Sequence, residues 1–459
     1  MCPKGSMSGP ADLRGSAEPL HDYGGLAAGD RLRHQATWLL SGSGASVIFQ
    51  ALYFSCMGRM LGAQEYGAFV GAVALVSVLS QFSSLGMEMV LLRTIARDRA
   101  AFGATWTRAL LVSTAGFVLV LAVAMLYGKL FLPLTLRQLL PYLVVSDALF
   151  GKLTQLASRA FQGAGLARWS AKLAALTNAA RAGAAITLFV WAARAHRHVV
   201  VLLWVRLYLV AALLVAIFSL VLVSRLLGSP VPAAIRRSHL LEGLSFAFSN
   251  SSISVYNDID KTLLASHGML ADAGIYTAAY RVLDVASTPV YSLFAAASPR
   301  LFRVGSASGA EGVTMAIRDL LRWVVAFGVA AALLLVITAP AVPLLFGHSF
   351  GRSVSALRFL CLLPLLRGLH YAWGTAITAC TSQWLRTAAQ AFAAGLNLLL
   401  NLLLIPHWGW RGAAFTSLVS DGALALCSFL ILQVLLRRQH ARGAPAAKAE
   451  AEASNTVAG

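Results

Sequence analysis

Six basic residues lie within or beside long apolar stretches of this sequence, where charged side chains are costly and usually functional. Arginine is the most informative type, because its guanidinium group binds phosphate or carboxylate through two parallel hydrogen bonds. Arg281 is therefore the strongest candidate for binding an anion. The six residues are Lys152, Arg181, Arg206, Lys261, Arg281 and Arg367.

Acidic residues occur in the same stretches, so the sequence leaves open which of the basic residues are paired with a carboxylate. Arg281 has Asp284 three positions away, so the two could form a neutralised helical pair, and Asp258 and Lys261 have the same spacing. Three arginines have no acid three or four positions away and are expected to be unpaired: Arg181, Arg206 and Arg367. Of these, Arg206 and Arg367 could instead extend to a membrane face.

Motifs of enzymatic chemistry are missing from the sequence. It contains no Walker A loop, no HExxH, no nucleophile elbow and no histidines at metal-ligand spacing. The five cysteines are scattered without a CxxC pair. We therefore expect no catalytic residue, no metal and no cofactor.

Polar residues recur at helical spacing in four stretches, 43–53, 77–88, 245–260 and 276–291. This pattern predicts a hydrated, partly cationic cavity, although hydroxyl groups could also serve only as hydrogen bonds between helices. The predicted cavity residues are Gln50, Arg59, Gln81, Arg181, Tyr256, Asp260, Lys261, Tyr280, Arg281, Asp284 and Arg367.

The composition specifies the elements that must position these residues. Of 459 residues, 58% are hydrophobic and only 12% are charged, with a mean hydropathy of +0.72. These values exclude a soluble globule, a secreted disulfide scaffold and a disordered chain. They predict an all-α membrane protein with about 12 transmembrane helices. Its apolar segments are roughly 37–57, 67–90, 109–128, 139–158, 170–192, 199–225, 244–266, 275–298, 321–345, 354–378, 387–405 and 412–436.

The basic excess, 37 Lys and Arg against 18 Asp and Glu, is concentrated in alternate loops. This asymmetry follows the positive-inside rule and predicts that both termini are cytoplasmic. It also accounts for most of the charge that could otherwise indicate nucleic-acid binding, so we expect a phospholipid membrane and no nucleic acid as partner. No apolar region of a signal peptide is found in the polar N-terminal stretch.

The sequence shows a weak internal repeat. Gly67 and Gly274 are separated by the same number of residues as Arg93 and Arg300. Gly67 and Arg93 therefore bracket the second helix of the first half, and Gly274 and Arg300 bracket that of the second half. The repeat predicts two parallel, pseudo-symmetric lobes of six helices each. The predicted divisions are a flexible cytoplasmic tail (1–35), an N-lobe (36–227), a cytoplasmic linker (228–243), a C-lobe (244–436) and a second flexible cytoplasmic tail (437–459).

Four segments resemble a known family in their order and residue types. Residues 60–69, MLGAQEYGAF, are similar to an LLGxxxYGxF segment, and 85–97 are similar to the end of the family's second helix. Residues 274–281, GIYTAAYR, resemble GxYxxAYR, and 397–406 followed by 408–414 resemble NLLLIPxxGxxGAA. The family is that of the polysaccharide-export flippases, the Wzx-type branch of the multidrug/oligosaccharidyl-lipid/polysaccharide exporter superfamily.

The resemblance implies two six-helix bundles that form a V and open alternately to either side of the bacterial inner membrane. The implied substrate is an undecaprenyl-pyrophosphate-linked oligosaccharide, and the implied protein partners are a polysaccharide polymerase and glycosyltransferases. Of the predicted site residues, Arg281 lies in a matching motif and Arg59 lies beside one. Trp408, Trp410 and the run 87–89 depart from the family pattern and leave the glycan open.

Two other functions are compatible with parts of the sequence. A cation-coupled drug exporter on the same fold needs a buried acid that changes protonation, such as Asp284, but a cationic cavity opposes it. A membrane-embedded glycosyl- or acyltransferase needs a catalytic base or metal, and no such group is found. The energy source also stays open between an ion gradient, through Asp258, Asp260 or Asp284, and consumption of the product.

Overall fold

The computed structural model describes residues 28–195, 200–235, 237–380 and 383–457, and within these ranges the chain is helical and contains no strand. A π-helical segment, Val145–Gly151, joins α4 to α5, and short 3₁₀ turns flank α3 and α10. The helices are α1 (Ala28–Ser80), α2 (Met87–Arg97), α3 (Phe102–Phe131), α4 (Leu134–Val144), α5 (Lys152–Gly163), α6 (Ala167–Ala195), α7 (Val201–Leu226), α8 (Arg237–Ser266), α9 (Leu270–Thr338), α10 (Val342–Phe346), α11 (Ser353–Phe359), α12 (Leu363–Cys380), α13 (Trp384–Trp408) and α14 (Trp410–Val457).

The prediction of an all-α, multi-span membrane protein is confirmed. Among the described residues, 7 helical segments are long and apolar enough to cross a membrane, or 8 if the bent pair around α11 and α12 forms one span. The twelve predicted segments correspond to twelve helical stretches when α1 and α9 are divided at their internal breaks and the short helices are joined. Lipid-facing helices satisfy their backbone hydrogen bonds locally, which is why hydropathy predicts this level of structure.

Glycines with positive φ divide the two longest helices. Gly62 (φ 67) breaks α1, and Gly309 (φ 63) breaks α9. Residues with a Cβ rarely adopt this conformation, whereas glycine adopts it readily. The predicted span 67–90 is also interrupted, because α1 ends at Ser80 and α2 begins only at Met87, after Gly86 (φ 68).

The repeat-related glycines contact each other across the two halves. A Cβ added to Gly67 would lie 1.7 Å from the carbonyl oxygen of Leu270, and one added to Gly274 would lie 2.0 Å from that of Ala63. In each case the carbonyl belongs to the residue four positions before the opposite glycine. We call this the reciprocal glycine contact, and its reciprocity is the geometry of a two-fold-related interface.

A second line of contacts runs between the halves from the last turns of α1 through α2 to α8. We call it the closed seam. Its contacts are Ser77 with Asp258 (3.5 Å), Gln81 with Ser254 (3.4 Å), the rings of Phe82 and Phe248 (centroids 5.3 Å apart), the backbones of Gly86 and Gly243, and Arg93 with Glu242 (2.6 Å).

The segments predicted as linker and tails differ in part from the structure. The non-helical linker ends by Ile235, and Thr107 Oγ1 and Arg108 Nε of α3 donate to its carbonyls of Val231 (2.7 Å) and Ala234 (2.8 Å). The C-terminal stretch continues α14 as helix to Val457, in agreement with the high helix propensity of its Ala, Glu and Lys residues. Most of the predicted N-terminal tail lies outside the described residues.

Candidate functional site

Two cavities lie among the described helices. The first, about 580 Å³, lies entirely within the N-terminal half, between α1, α5, α6 and α7. We call it the N-half cavity. Its volume is in the range of small-molecule binding sites. Ten of its lining residues have polar side chains, and none is acidic: Ser46, Thr154, Gln155, Ser158, Arg159, Gln162, Ser170, Thr177, Asn178 and Arg181.

Helical periodicity explains why these side chains converge. Along α5, Thr154, Ser158 and Gln162 recur at four-residue spacing, and along α6, Ser170, Thr177 and Arg181 recur at seven- and four-residue spacing. Residues at such spacings share one helix face. The two polar faces meet where Ser158 Oγ and Ser170 Oγ lie 2.6 Å apart.

The two arginines of this cavity have different partners. Arg181 Nη2 lies 3.2 Å from Asp147 Oδ1, and Tyr208 donates to the same oxygen (2.8 Å). Arg159 Nη1 instead donates to the neutral amide oxygen of Gln162 (2.8 Å). The charge of Arg181 is thus balanced, whereas Arg159 forms no ion pair with any described residue.

A buried ion pair connects the first residue of α5 to α2. Lys152 Nζ donates to Gln81 Oε1 (3.0 Å) and lies 3.6 Å from Glu88 Oε1, while Ser84 donates to the other carboxylate oxygen of Glu88 (2.6 Å). The side chains of Lys152 and Glu88 are 5% and 1% exposed. Because removal of one partner would leave a buried unpaired charge, this group fixes α5 against α1 and α2.

The second cavity, about 330 Å³, lies between the halves, lined by α1, α9 and α10. We call it the seam cavity. Its wall is mostly apolar, with Gln50 and Ser55 on α1 and Arg281, Asp284 and Thr288 on α9 as polar residues. The N-half and seam cavities share α1 as a wall, since Ser46 lines the first and the adjacent Val47 the second.

Arg281 is the principal charged group of the seam cavity. Its guanidinium carbon lies 4.1 Å from the ring centroid of Phe54, and its Nε is buried without a hydrogen-bond partner. Its nearest carboxylate oxygen, on Asp284, is 3.9 Å away, at the limit of an ion pair. Stacking on an aromatic face holds the guanidinium while leaving donors unused.

Asp284 connects the seam cavity to a polar network inside the C-terminal half. Its side chain is 47% exposed, and its Oδ1 lies 3.1 Å from Nη1 of Arg367, which is only 12% exposed. Arg367 Nε is 3.6 Å from Asp421 Oδ2, and His370 Nε2 is 3.6 Å from the other oxygen of Asp421. Tyr256 also donates to Asp421.

The predicted site residues fall into two groups. Arg181 lines the N-half cavity, and Gln50, Arg281 and Asp284 line the seam cavity. The other predicted residues line neither cavity: Arg59, Gln81, Tyr256, Asp260, Lys261, Tyr280 and Arg367.

The residues of the second group form contacts within and between helices. Arg59 donates to the carbonyl of Leu345 (3.1 Å), beside the reciprocal glycine contact. Tyr276 donates to Asp260, and Lys261 Nζ binds Asp258 Oδ1 (2.6 Å). The ring of Tyr280 lies between two cations, Lys261 at 5.4 Å and Arg367 at 5.3 Å.

The expectation that Arg181 and Arg367 are unpaired is wrong. Their carboxylate partners are on other helices, Asp147 for Arg181 and both Asp284 and Asp421 for Arg367. Spacing along one helix cannot reveal such pairs. Arg206 packs over the ring of Tyr142 at 5.7 Å.

Sequence reasoning missed most of the N-half cavity, including Arg159. The sequence does indicate this cavity, because the polar residues of 151–162 and 170–181 recur at helical spacing as regularly as those of the four stretches from which the cavity was predicted. Their position at the ends of predicted spans, where polar residues are ordinary, concealed it. Within the described residues, no group of three His, Cys, Asp or Glu side chains could hold a metal ion.

Comparisons with known proteins agree with this architecture. Residues 32–304, more than half of the chain, match the family described as polysaccharide biosynthesis protein. No curated protein sequence matches the chain.

Solved structures show the same fold at low sequence identity. An inward-facing multidrug resistance MATE family transporter of the MOP superfamily has a TM-score of 0.68 at 15% identity, with 85% of this chain and 93% of that chain covered. A MOP superfamily transporter from Pyrococcus furiosus gives 0.56 at 14% identity (88% and 94% covered), and a Vibrio cholerae MATE transporter gives 0.57 at 15% (89% and 97% covered). Since the family match spans most of the N-terminal half and extends into α9, the chain belongs to the polysaccharide biosynthesis protein family, and its fold is that of MOP superfamily transporters.

Proposed function

We propose that the protein is a flippase that moves an undecaprenyl-pyrophosphate-linked oligosaccharide across the bacterial inner membrane. One observation carries this proposal: a polar cavity without acidic lining residues and an apolar cavity with an available arginine lie on either side of α1. A lipid-linked oligosaccharide has the matching parts, a polar glycan, an anionic diphosphate and a hydrocarbon tail. The family's description as polysaccharide biosynthesis proteins supports the same substrate class.

The physical chemistry of such a lipid assigns its parts to the two cavities. Burial of a sugar hydroxyl in hydrocarbon without a hydrogen bond costs about 2–7 kcal/mol for each hydroxyl, so the glycan requires a polar cavity. Each CH₂ group of the tail loses about 0.8 kcal/mol on leaving the lipid, so the tail stays in the bilayer. The mostly apolar seam cavity is proposed to hold the junction between these two parts of the lipid.

Arg281 is placed to hold the diphosphate at this junction. A guanidinium group binds phosphate oxygens through two parallel bonds, and the Nε of Arg281 has no competing hydrogen bond. Asp284, at 3.9 Å, is a weak competitor that helps to release the anion again. The balance suits a transporter, which must bind its substrate and also let it go.

The contacts between the halves support transport by alternating access. The basic residues 93, 97, 99 and 108 mark one end of the bundle as cytoplasmic by the positive-inside rule, with both termini on that side. In the proposed orientation the reciprocal glycine contact lies at the opposite end, between the cavities and the far side of the membrane. In the proposed cycle this contact opens to release the glycan, which a polymerase then uses.

A flipping assay in proteoliposomes tests the proposal. The probe is a fluorescently labelled undecaprenyl-diphosphate disaccharide, and the measurement is the fraction of label protected from a membrane-impermeant reductant. Arg281→Gln should slow flipping by about 10- to 100-fold, since a charge-assisted hydrogen bond contributes about 1.5–3 kcal/mol. Arg352→Gln is the matched control, because Arg352 is exposed and paired with Asp272 at 3.1 Å, away from both cavities.

Other outcomes would favour the rival functions. Wild-type protein that fails to flip the probe but moves cationic dyes would be a drug exporter. A chemical change in the glycan or lipid after incubation with the protein would indicate a transferase. Flipping at the wild-type rate by Arg281→Gln would remove Arg281 from the site.

A further inference from the structure

We propose that the N-half cavity selects a glycan carrying an acidic sugar, and that Arg159 binds the carboxylate of that sugar. This inference rests on the proposed function and names its substrate class more narrowly. It begins from the charge of the cavity wall. Of the two arginines there, Arg181 is balanced by Asp147, and Arg159 is not balanced by any described carboxylate.

The partners of Arg159 hold it in place without neutralising it. Arg159 Nη1 donates to Gln162 Oε1 (2.8 Å), and the amide nitrogen of Gln162 donates to Ser170 Oγ (2.7 Å). Ser170 is 3% exposed and anchors this chain in the wall between α5 and α6. One guanidinium nitrogen is thereby fixed, and the remaining donors are available to a ligand.

A neutral sugar would not require such a group. Hydroxyl groups of sugars can be bound by the serine, threonine, asparagine and glutamine side chains that make up most of the lining. An arginine without a carboxylate partner in a partly enclosed site costs desolvation energy, and an anionic ligand recovers it. The chemistry of the wall therefore matches a glycan with one negative charge.

The diphosphate of the lipid is not the anion that Arg159 binds. It is attached directly to the tail, which lies in the seam beside Arg281. Arg281 stacks on Phe54, whose ring lies 4.5 Å from that of Tyr53. The Tyr53 ring packs on Trp204 and Trp204 packs on Tyr208, which Arg181 covers at 4.6 Å, so the Arg181 end of the cavity is the end near the seam. Arg159 is at the Ser170 end, and Ser170 lies about 16 Å from Arg181 along α6 at 1.5 Å per residue.

Binding measurements on the purified full-length protein test this assignment with three probes. They are an undecaprenyl-diphosphate disaccharide ending in glucuronic acid, the same lipid ending in glucose, and undecaprenyl diphosphate without sugar. Wild-type protein should bind the glucuronate probe at least about tenfold more tightly than the glucose probe. This ratio is measured on the wild type and does not depend on the folding of any variant.

Variants then show which residue distinguishes the glucuronate probe from the glucose probe. Arg159→Gln should bring the ratio close to one while leaving affinity for the glucose and sugar-free probes unchanged, and Arg159→Lys should keep part of it. Lys172→Gln is the control, since Lys172 is an exposed cation on α6 that stacks on Trp169 outside the cavity.

Each alternative result has a distinct meaning. A wild-type ratio near one would overturn the inference and leave the proposed function standing. Equal weakening of all three probes by Arg159→Gln would assign Arg159 to the diphosphate and overturn it too. If the wild type binds none of the three lipids, the proposed function itself fails.

Discussion

Along the closed seam the backbones of Gly86 and Gly243 touch, whereas along the seam cavity α1 and α9 stand far enough apart to leave about 330 Å³. The two seams are formed by repeat-related helices, since the second helix of each half faces the first helix of the other. The difference lies in the side chains at the interface. Small residues at the closed seam allow backbone contact, and Arg281 stacked on Phe54 holds the other seam apart.

Each seam also contains an ion pair at i,i+3 spacing, and the two pairs behave differently. Asp258 and Lys261 on α8 are 2.6 Å apart, and Asp258 also accepts a hydrogen bond from Ser77 across the closed seam. Arg281 and Asp284 on α9 are 3.9 Å apart, because the Asp284 carboxylate pairs with Arg367 instead, at 3.1 Å. The first pair fastens helices together, and the second leaves an arginine available for an anion.

The comparison indicates which part of the interface can bind a ligand and which part only holds the two halves together. We infer that the closed seam keeps the halves in register while the lipid occupies the other seam. Substitutions in the closed seam should therefore affect stability, and substitutions in the seam cavity should affect binding.

The largest expected effect is on the backbone contact of the closed seam. A Cβ in Gly86→Ala would lie 2.0 Å from the carbonyl oxygen of Gly243, and Gly86 has a φ of 68°. Overpacking and backbone strain together should lower the free energy of unfolding by about 2–4 kcal/mol, measured as a lower thermal midpoint of the purified protein. In Gly395→Ala the new Cβ meets nothing within 4 Å, so that variant should keep or slightly gain stability. Equal midpoints for both variants would show that the seam is not closely packed.

A smaller effect is expected from the carboxylate beside Arg281. Asp284→Asn removes the competitor of an anionic ligand, so the affinity for undecaprenyl diphosphate should rise by a factor of about 3 to 10. The comparison variant is Asp258→Asn, which alters the equivalent pair at the closed seam and should leave this affinity unchanged. Weaker binding by Asp284→Asn would mean that Asp284 supports the ligand rather than competing with it.

The smallest effect should come from the ion pair at the end of the closed seam. Arg93 and Glu242 are 2.6 Å apart, but the Arg93 side chain is 50% exposed. A double-mutant cycle of Arg93→Gln and Glu242→Gln should give a coupling energy below about 1 kcal/mol that decreases with added salt. Arg300→Gln, at the repeat-related position, should show no coupling to Glu242. A coupling well above that size would make this pair a principal fastening of the seam.

Much of this molecule could be predicted from local patterns. The apolar segments gave the helices, and the spacing of Gly67 and Gly274 singled out two residues that prove to touch across the halves. On α1, Ser46 lines the N-half cavity and Gln50 lines the seam cavity, whereas Tyr53 of the same predicted stretch is buried. The predicted polar stretch of α9 is divided, since Asp284 and Thr288 line the seam cavity and Tyr276 and Tyr280 are buried.

The sequence by itself determined the helical segments and the class of the protein, because hydropathy and backbone hydrogen bonding in a membrane act within one segment at a time. Only the tertiary structure decided which cations are free to bind a ligand. Arg181 is neutralised by Asp147, 34 positions away, and Arg367 by Asp284, 83 positions away, whereas Arg159 and Arg281 keep unused donors. Ion pairs depend on distances of a few ångströms between different helices, and no spacing along a single helix specifies those distances.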